Sequence, residues 1–180
     1  MVVYGEKKYF DRQFLAGAVA LAIVFIFFVG YSLKRGHWFF LDNVNLVIHE
    51  AGHVMFMFFG EFASFAGGTV AQLALPLSFV LYFLLKRQFV SASAVMFWFG
   101  ENLVNVSIYA ADANDMVLPL LGGGMHDWNY MLGETRLLYY APQIAGAFYS
   151  LGMLVYCLAL AVGLYGLFRN SLDRKLPPSP

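Results

Sequence analysis

Charge is scarce in this chain. Its 180 residues include 11 basic and 11 acidic side chains, 12% in all, with a formal net charge of zero. Soluble globular domains carry about twice that fraction, so the composition excludes an ordinary soluble domain and a solvated disordered chain. Zero net charge leaves no electrostatic handle for nucleic acid. The single cysteine, Cys157, excludes an internal disulfide framework and a thiolate zinc cage, and reads as a small buried hydrophobe. Only four histidines are present, fewer than a multi-histidine membrane oxidase site needs. No internal repeat, low-complexity tract or second domain is visible. Residues 1–180 read as one integral membrane domain.

Apolar residues fill the space left by charge, at 61% of the chain, with 18% aromatic. At about 20 residues per transmembrane helix this supplies roughly five spans. Charged and glycine breaks divide the chain into apolar blocks at about 14–33, 38–62, 69–85, 89–111 and 144–168. The expected fold is therefore all-α: a polytopic bundle of five transmembrane helices in the lipid bilayer. Gly67-Gly68 is expected to break the chain before the third block, and Pro76 to kink that block. The first block is too long for a signal-peptide core and has no small-residue cleavage site after it. Five spans place the termini on opposite sides. Lys34, Arg35, Lys86, Arg87, Arg169, Arg174 and Lys175 fall on one side and Lys7, Lys8, Arg12 and Arg136 on the other, which favours a cytoplasmic C-terminus. The tail from Leu176 to Pro180 is expected to be disordered. Residues 112–140 are too mixed to span. They read either as an ordered piece lying on or dipping into the membrane, or as an interfacial loop that only connects.

The second block carries His49-Glu50-Ala51-Gly52-His53, an HExxH pattern. Residues four apart share a helix face, so both imidazoles can address one metal ion, and Glu50 can reach a water bound to it. Ionisable groups inside a span are costly and mark function. Asp42, Asn45, His49 and His53 fall within an arc of about 80°, giving one polar stripe on an apolar helix. Asp42 or Asn45 can hold a histidine tautomer from behind. Asp42 and Asn43 equally read as caps at the helix start, and that reading is preferred. Two imidazoles with a carboxylate suit Zn2+. Haem does not fit two histidines on one helix face, and a di-iron bundle wants a second Glu-x-x-His motif, which is absent.

Zinc chemistry needs a third protein ligand. Glu101, Asp112, Asp115, His126 and Asp127 are the candidates. Glu101, Asn105 and Asp112 share one face of the fourth block. At about 1.5 Å per residue, His49 and His53 lie roughly 15–21 Å from the basic side, Glu101 roughly 18 Å and Asp112 roughly 34 Å. Depth favours Glu101; tilt, a break near Ala110-Ala111 or a dipping loop would bring in Asp112 or Asp127, so depth alone does not choose among them. Asn102, Asn105 and Gln72 read as interhelical hydrogen-bonding groups, or as contacts to substrate. Met55, Phe56, Met57 and Phe58 read as packing or lipid contacts.

An HExxH motif within a span, followed by a glycine pair and a proline-bearing span, resembles the site-2-type intramembrane zinc metalloproteases. The matching residues are His49, Glu50, Gly52 and His53, and more loosely Gly67-Gly68; the resemblance covers about residues 40–112. It implies hydrolysis of a peptide bond in a membrane-spanning substrate, with Glu50 as general base on a zinc-bound water and the glycines near Gly67 offering backbone to an extended substrate strand. That family takes its third ligand from an aspartate on a later helix, in a Leu-Asp-Gly motif. No such motif follows here. The family habit nevertheless shifts the expected third ligand to Asp112. There is no room for a PDZ domain. Two other readings stand beside this one. The first is a non-catalytic subunit of a larger membrane complex with a structural metal site. The second is a transporter or proton path lined by Glu101, Asp112 and the histidines.

Overall fold

A computed structural model describes residues 11–34, 39–119 and 124–174. Among these the chain is all-helical, with six α-helices: α1 (Arg12–Leu33), α2 (Phe40–Phe56), α3 (Glu61–Leu85), α4 (Phe89–Ala111), α5 (Asp127–Glu134) and α6 (Ala141–Asp173). Three helical stretches, Arg12–Leu33, Glu61–Leu85 and Leu138–Asp173, are long and apolar enough to cross a membrane. The disordered tail expected from Leu176, the start of the second block at Trp38 and the glycines Gly122-Gly123 lie outside the described residues.

α4 packs chiefly on α6, and α3 bridges α2 to α4. α1 runs antiparallel to α6: Asp11 caps α1 by accepting from the Phe14 N–H at 2.7 Å, and its other oxygen meets Arg174 at the end of α6 at 2.8 Å. The core has two parts. One gathers Val80, Met96, Phe97, Val104, Tyr156 and Ala159 between α3, α4 and α6. The other gathers Val106, Ala110 and Ala113 with Trp128, Met131 and Leu132 of α5 and Ala141 and Ala145 of α6. The segment after α4 therefore includes a packed helix, as the dipping reading required, and is more than a connection. Large side chains such as Val47, Phe58 and Leu85 point outward from the bundle.

The glycine pair does not break the chain. α2 gives way to a 3-10 turn at Met57–Phe59, and the reversal falls on Gly60, whose φ of +101° is open to glycine and costly for other residues. α3 then begins at Glu61 and runs through Gly67, Gly68 and Pro76. Gly67 and Gly68 serve packing. A Cβ on Gly67 would fall 2.6 Å from the Gly52 carbonyl oxygen, and one on Gly68 would fall 2.6 Å from His49 Nε2. Three glycines thus let α2 and α3 touch backbone to backbone and leave room for an imidazole between them. Cys157, expected inside, is exposed on α6.

Candidate metal centre

The polar stripe of α2 faces inward: Asp42, Asn45, His49 and Gly52 are buried, and His53 is half-buried beside them. His49 and His53 place their rings 4.8 Å apart. Asp127, the first residue of α5, meets both. Its Oδ2 lies 2.8 Å from His49 Nε2 and 3.3 Å from His53 Nε2. Donor atoms on one tetrahedral zinc stand about 3.3 Å apart at bond lengths near 2.0–2.1 Å, so the spacing fits a shared ion with small adjustments.

The hydrogen bonds behind the rings fit it as well. His53 Nδ1 lies 2.8 Å from the Ser64 carbonyl oxygen, which only accepts, so the proton is on Nδ1. His49 Nδ1 lies 3.1 Å from Gln72 Oε1, also an acceptor. In the neutral rings both Nε2 atoms then carry lone pairs, and both point at a carboxylate oxygen. If neither Nε2 is protonated, three electron-pair donors converge and call for a cation; in its absence a histidine proton fills the gap. Burial pushes the Asp127 carboxyl upward, but the hydrogen-bonding histidines outweigh it and hold it at about 2. The group is thus ready as an anion. The cluster His49, His53 and Asp127 can hold a metal ion. Glu50, next in sequence to His49, is exposed, and of the two histidines His53 is the more exposed.

Asp112, expected as the third ligand, is corrected to a structural role. It ends α4 and accepts from the backbone N–H groups of Val117 and Leu118, at 3.0 Å each. Its Oδ2 also faces His126 Nε2 at 3.3 Å, without the alignment of a hydrogen bond. His126 is not at the cluster either. Its Nδ1 accepts from the Asn129 N–H and caps α5, and burial lowers its pKa against the opposing pull of Asp112. Glu101, favoured by depth, instead accepts from Asn45 at 2.7 Å, one turn before His49. Asp115 is exposed in the turn after α4.

The amides divide by role. Asn45 also accepts from Trp98 and does not touch the histidines. Asn102 donates to the Trp98 carbonyl of its own helix, neither between helices nor toward the site. Asn105 and Gln72 do bridge helices. Asp42 caps α2 by accepting from the Phe39 N–H at 2.5 Å, but it also binds Tyr31 and Asn105. Gly67 and Gly68 are buried against α2, so they offer no backbone to a substrate. Tyr109 escaped the sequence reading. Its hydroxyl accepts from the Asp127 N–H at 3.2 Å, and its ring lies 4.3 Å from that of His126 and 5.8 Å from that of His49. An aromatic at the end of a span reads as packing, and nothing local marks it otherwise.

The geometry defines a helical bundle, with three helical stretches able to span a membrane, built around a His-His-Asp cluster. No known family model matches the chain, and neither a curated protein nor a solved structure matches it.

Proposed function

We propose that the chain is a multi-pass membrane zinc peptidase of the site-2 type, with His49, His53 and Asp127 as the protein ligands and Glu50 as the general base. One observation carries the reading: two imidazole lone pairs and a carboxylate oxygen converge, and an exposed glutamate stands next in sequence to one of those imidazoles. Zinc held there supplies a water of lowered pKa and an electrophile for the peptide carbonyl. The chain's own residues do the rest. Glu50 takes the proton as the water oxygen forms its bond to the carbonyl carbon. It returns that proton to the amine nitrogen as the C–N bond breaks. Tyr109 and the α5 packing hold Asp127 in place, and buried Gly68 leaves the space that His49 occupies.

In this proposal α2 and α4 also cross the membrane, giving five spans with the C-terminus on the cytoplasmic side. At about 1.5 Å per residue the 17 residues of α2 reach about 26 Å, slightly short of the roughly 30 Å hydrocarbon core. The 3-10 turn after it makes up the difference. The substrate is a membrane-associated segment that reaches Glu50 and His53, and it must unwind locally to present a carbonyl.

The test is metal content and cleavage together. Purified wild-type protein should carry about one zinc per chain, and His53→Ala should carry almost none. Glu50→Gln should keep the zinc and lose cleavage of a membrane-embedded reporter by about 10²–10⁴-fold. Zinc that is absent from wild type, or unchanged in His53→Ala, removes the metal centre. Full cleavage by Glu50→Gln removes the base.

A further inference from the structure

Asp42 and His49 lie on one helix seven residues apart, about 10 Å along its axis, too far for direct contact. Hydrogen bonds nevertheless connect them by leaving α2. Asn105 Nδ2 on α4 donates to Asp42 Oδ1 at 2.7 Å. Gln72 Nε2 on α3 donates to Asn105 Oδ1 at 2.8 Å. Gln72 Oε1 lies 3.1 Å from His49 Nδ1, back on α2. The path visits three helices and returns to its own.

Its direction is set at one end. Asp42 accepts from the Tyr31 hydroxyl at 2.8 Å and the Phe39 N–H at 2.5 Å on Oδ2, and from Asn105 on Oδ1. A carboxylate so engaged only accepts, so Asn105 must turn its nitrogen toward it. That leaves the Asn105 oxygen for Gln72, which must answer with its nitrogen. The Gln72 oxygen is then presented to His49 and requires a proton on Nδ1. Each amide has one orientation consistent with its neighbours, and the last of them chooses the histidine tautomer.

We propose that Asp42, Asn105 and Gln72 are positioning residues that fix His49 as the Nδ1–H tautomer and keep its Nε2 lone pair aimed at the Asp127 side of the cluster. The consequence for metal retention rests on the metal-centre reading above; the preference set by the relay does not, but in metal-free protein it competes with Asp127, whose Oδ2 lies 2.8 Å from His49 Nε2 and draws a proton there. His53 is set by a different device, the Ser64 backbone carbonyl, so side-chain substitutions along the relay act on His49 alone. Because the relay exists only when α2, α3 and α4 are packed together, a competent His49 is also a product of helix assembly.

The experiment uses the full chain in detergent, stripped of metal, with 15N-labelled histidine, in an Asp127→Asn background that takes away the carboxylate facing His49 Nε2 at 2.8 Å. A His49→Gln sample assigns the His49 signals. At about pH 9, above the ordinary imidazole range, two-bond 1H–15N correlations should show His49 neutral and protonated on Nδ1. With Asp127→Asn in place, finding the Nε2–H tautomer, or a doubly protonated ring, overturns the proposal before any relay residue is changed. Asp42→Asn removes the fixed end while keeping shape and an acceptor for Tyr31 and Phe39, so both amides can turn over. His49 should move toward the Nε2–H tautomer and His53 should stay unchanged, and, in the chain that keeps Asp127, zinc Kd measured against a competing chelator should rise about 10–100-fold. An unchanged His49 tautomer in Asp42→Asn overturns the relay even if zinc is weakened. If that variant does not fold, Gln72→Met interrupts the relay one step from the ring and should give the same loss of Nδ1–H preference; an unaltered preference there is equally fatal. Should wild-type protein bind no zinc at all, the metal centre fails while the tautomer measurement still decides the relay.

Discussion

α1 and α2 are neighbours in sequence and opposites in design. The one buried residue of α1 is a serine, Ser32, which meets the Tyr156 hydroxyl at 3.1 Å; Leu21, Phe25 and Phe28 pack on the core, and Leu15, Ile23, Ile26 and Phe27 face outward. α2 buries Asp42, Asn45 and His49 and turns Val44, Val47, Val54 and Met55 outward. Both helices are apolar outside; α1 turns an almost wholly apolar face inward and α2 a polar one. α1, α3 and α6 hold little and are apolar enough to span by composition. α2 and α4 hold His49, His53, Asp42, Glu101 and three buried or half-buried asparagines, and fall outside that group. α2, at 17 residues, is also short for a span, so length and polar content together set these two helices apart, and both carry the buried ionisable groups.

The sharpest way to break this contrast is through glycine. A Cβ on Gly52 would run into the Gly67 carbonyl group and Ala71, whereas one on Gly146 of α6 meets nothing within 4 Å. Gly52→Val should separate α2 from α3, destabilise the protein by about 3 kcal/mol or more, and empty the cluster. Gly146→Ala should stay within about 0.5 kcal/mol. Thermal unfolding in detergent measures both. Equal losses would mean that α6 is as tightly specified as the α2–α3 seam, against the contrast drawn here.

Next in size is the pair of aspartates flanking the segment between α4 and α5. Asp127→Ala removes the charge that two imidazoles share and should abolish zinc retention at micromolar zinc. Asp112→Ala removes an acceptor from two backbone N–H groups, which should cost about 1–2 kcal/mol of stability and leave zinc near one per chain. Zinc analysis of both variants, alongside their melting curves, separates the roles; loss of zinc in Asp112→Ala with retained fold would return it to the ligand set.

That pair also shows what was legible and what was not. The HExxH face, the inward polar stripe and the bounds of α4 follow from periodicity within one helix, where sequence spacing is spatial spacing. Asp127 is 78 residues from His49, and the packing of α5 against α3, α4 and α6 carries it inward. The local signal was an acid beside a tryptophan, followed by apolar residues at helical spacing. It identified an ordered segment without saying which carboxylate led it. Ranking by depth along straight helices put Glu101 first because it left no place for a short helix entering between two long ones. Gly67-Gly68 misled for a related reason: in a soluble chain a glycine pair reads as a turn, but beside Ala63, Ala66 and Ala71 it belongs to a run of small residues that lets two helices close up.

The smallest expected effect tests how Asp127 is held. Tyr109→Phe deletes a hydroxyl that accepts from the Asp127 N–H and keeps the ring beside His126 and His49. That N–H is the first of α5 and has no partner within its own helix. Its bond to Tyr109, at 3.2 Å, is long, so the loss should be about 0.5–1 kcal/mol. Read as zinc affinity, this is at most a fivefold rise in Kd. Two anchors remain in the variant: His126 still caps α5 through the Asn129 N–H, and the Asn129 side chain still donates to the Ala113 carbonyl at 2.8 Å. A double variant, Tyr109→Phe with Asn129→Ala, should therefore lose more than the two single losses combined, because the second change removes what compensates for the first. Strict additivity would mean that apolar packing of α5 alone fixes Asp127. A loss in Tyr109→Phe as large as that of Asp127→Ala would mean that the hydroxyl, and not the packing, brings the carboxylate to the histidines.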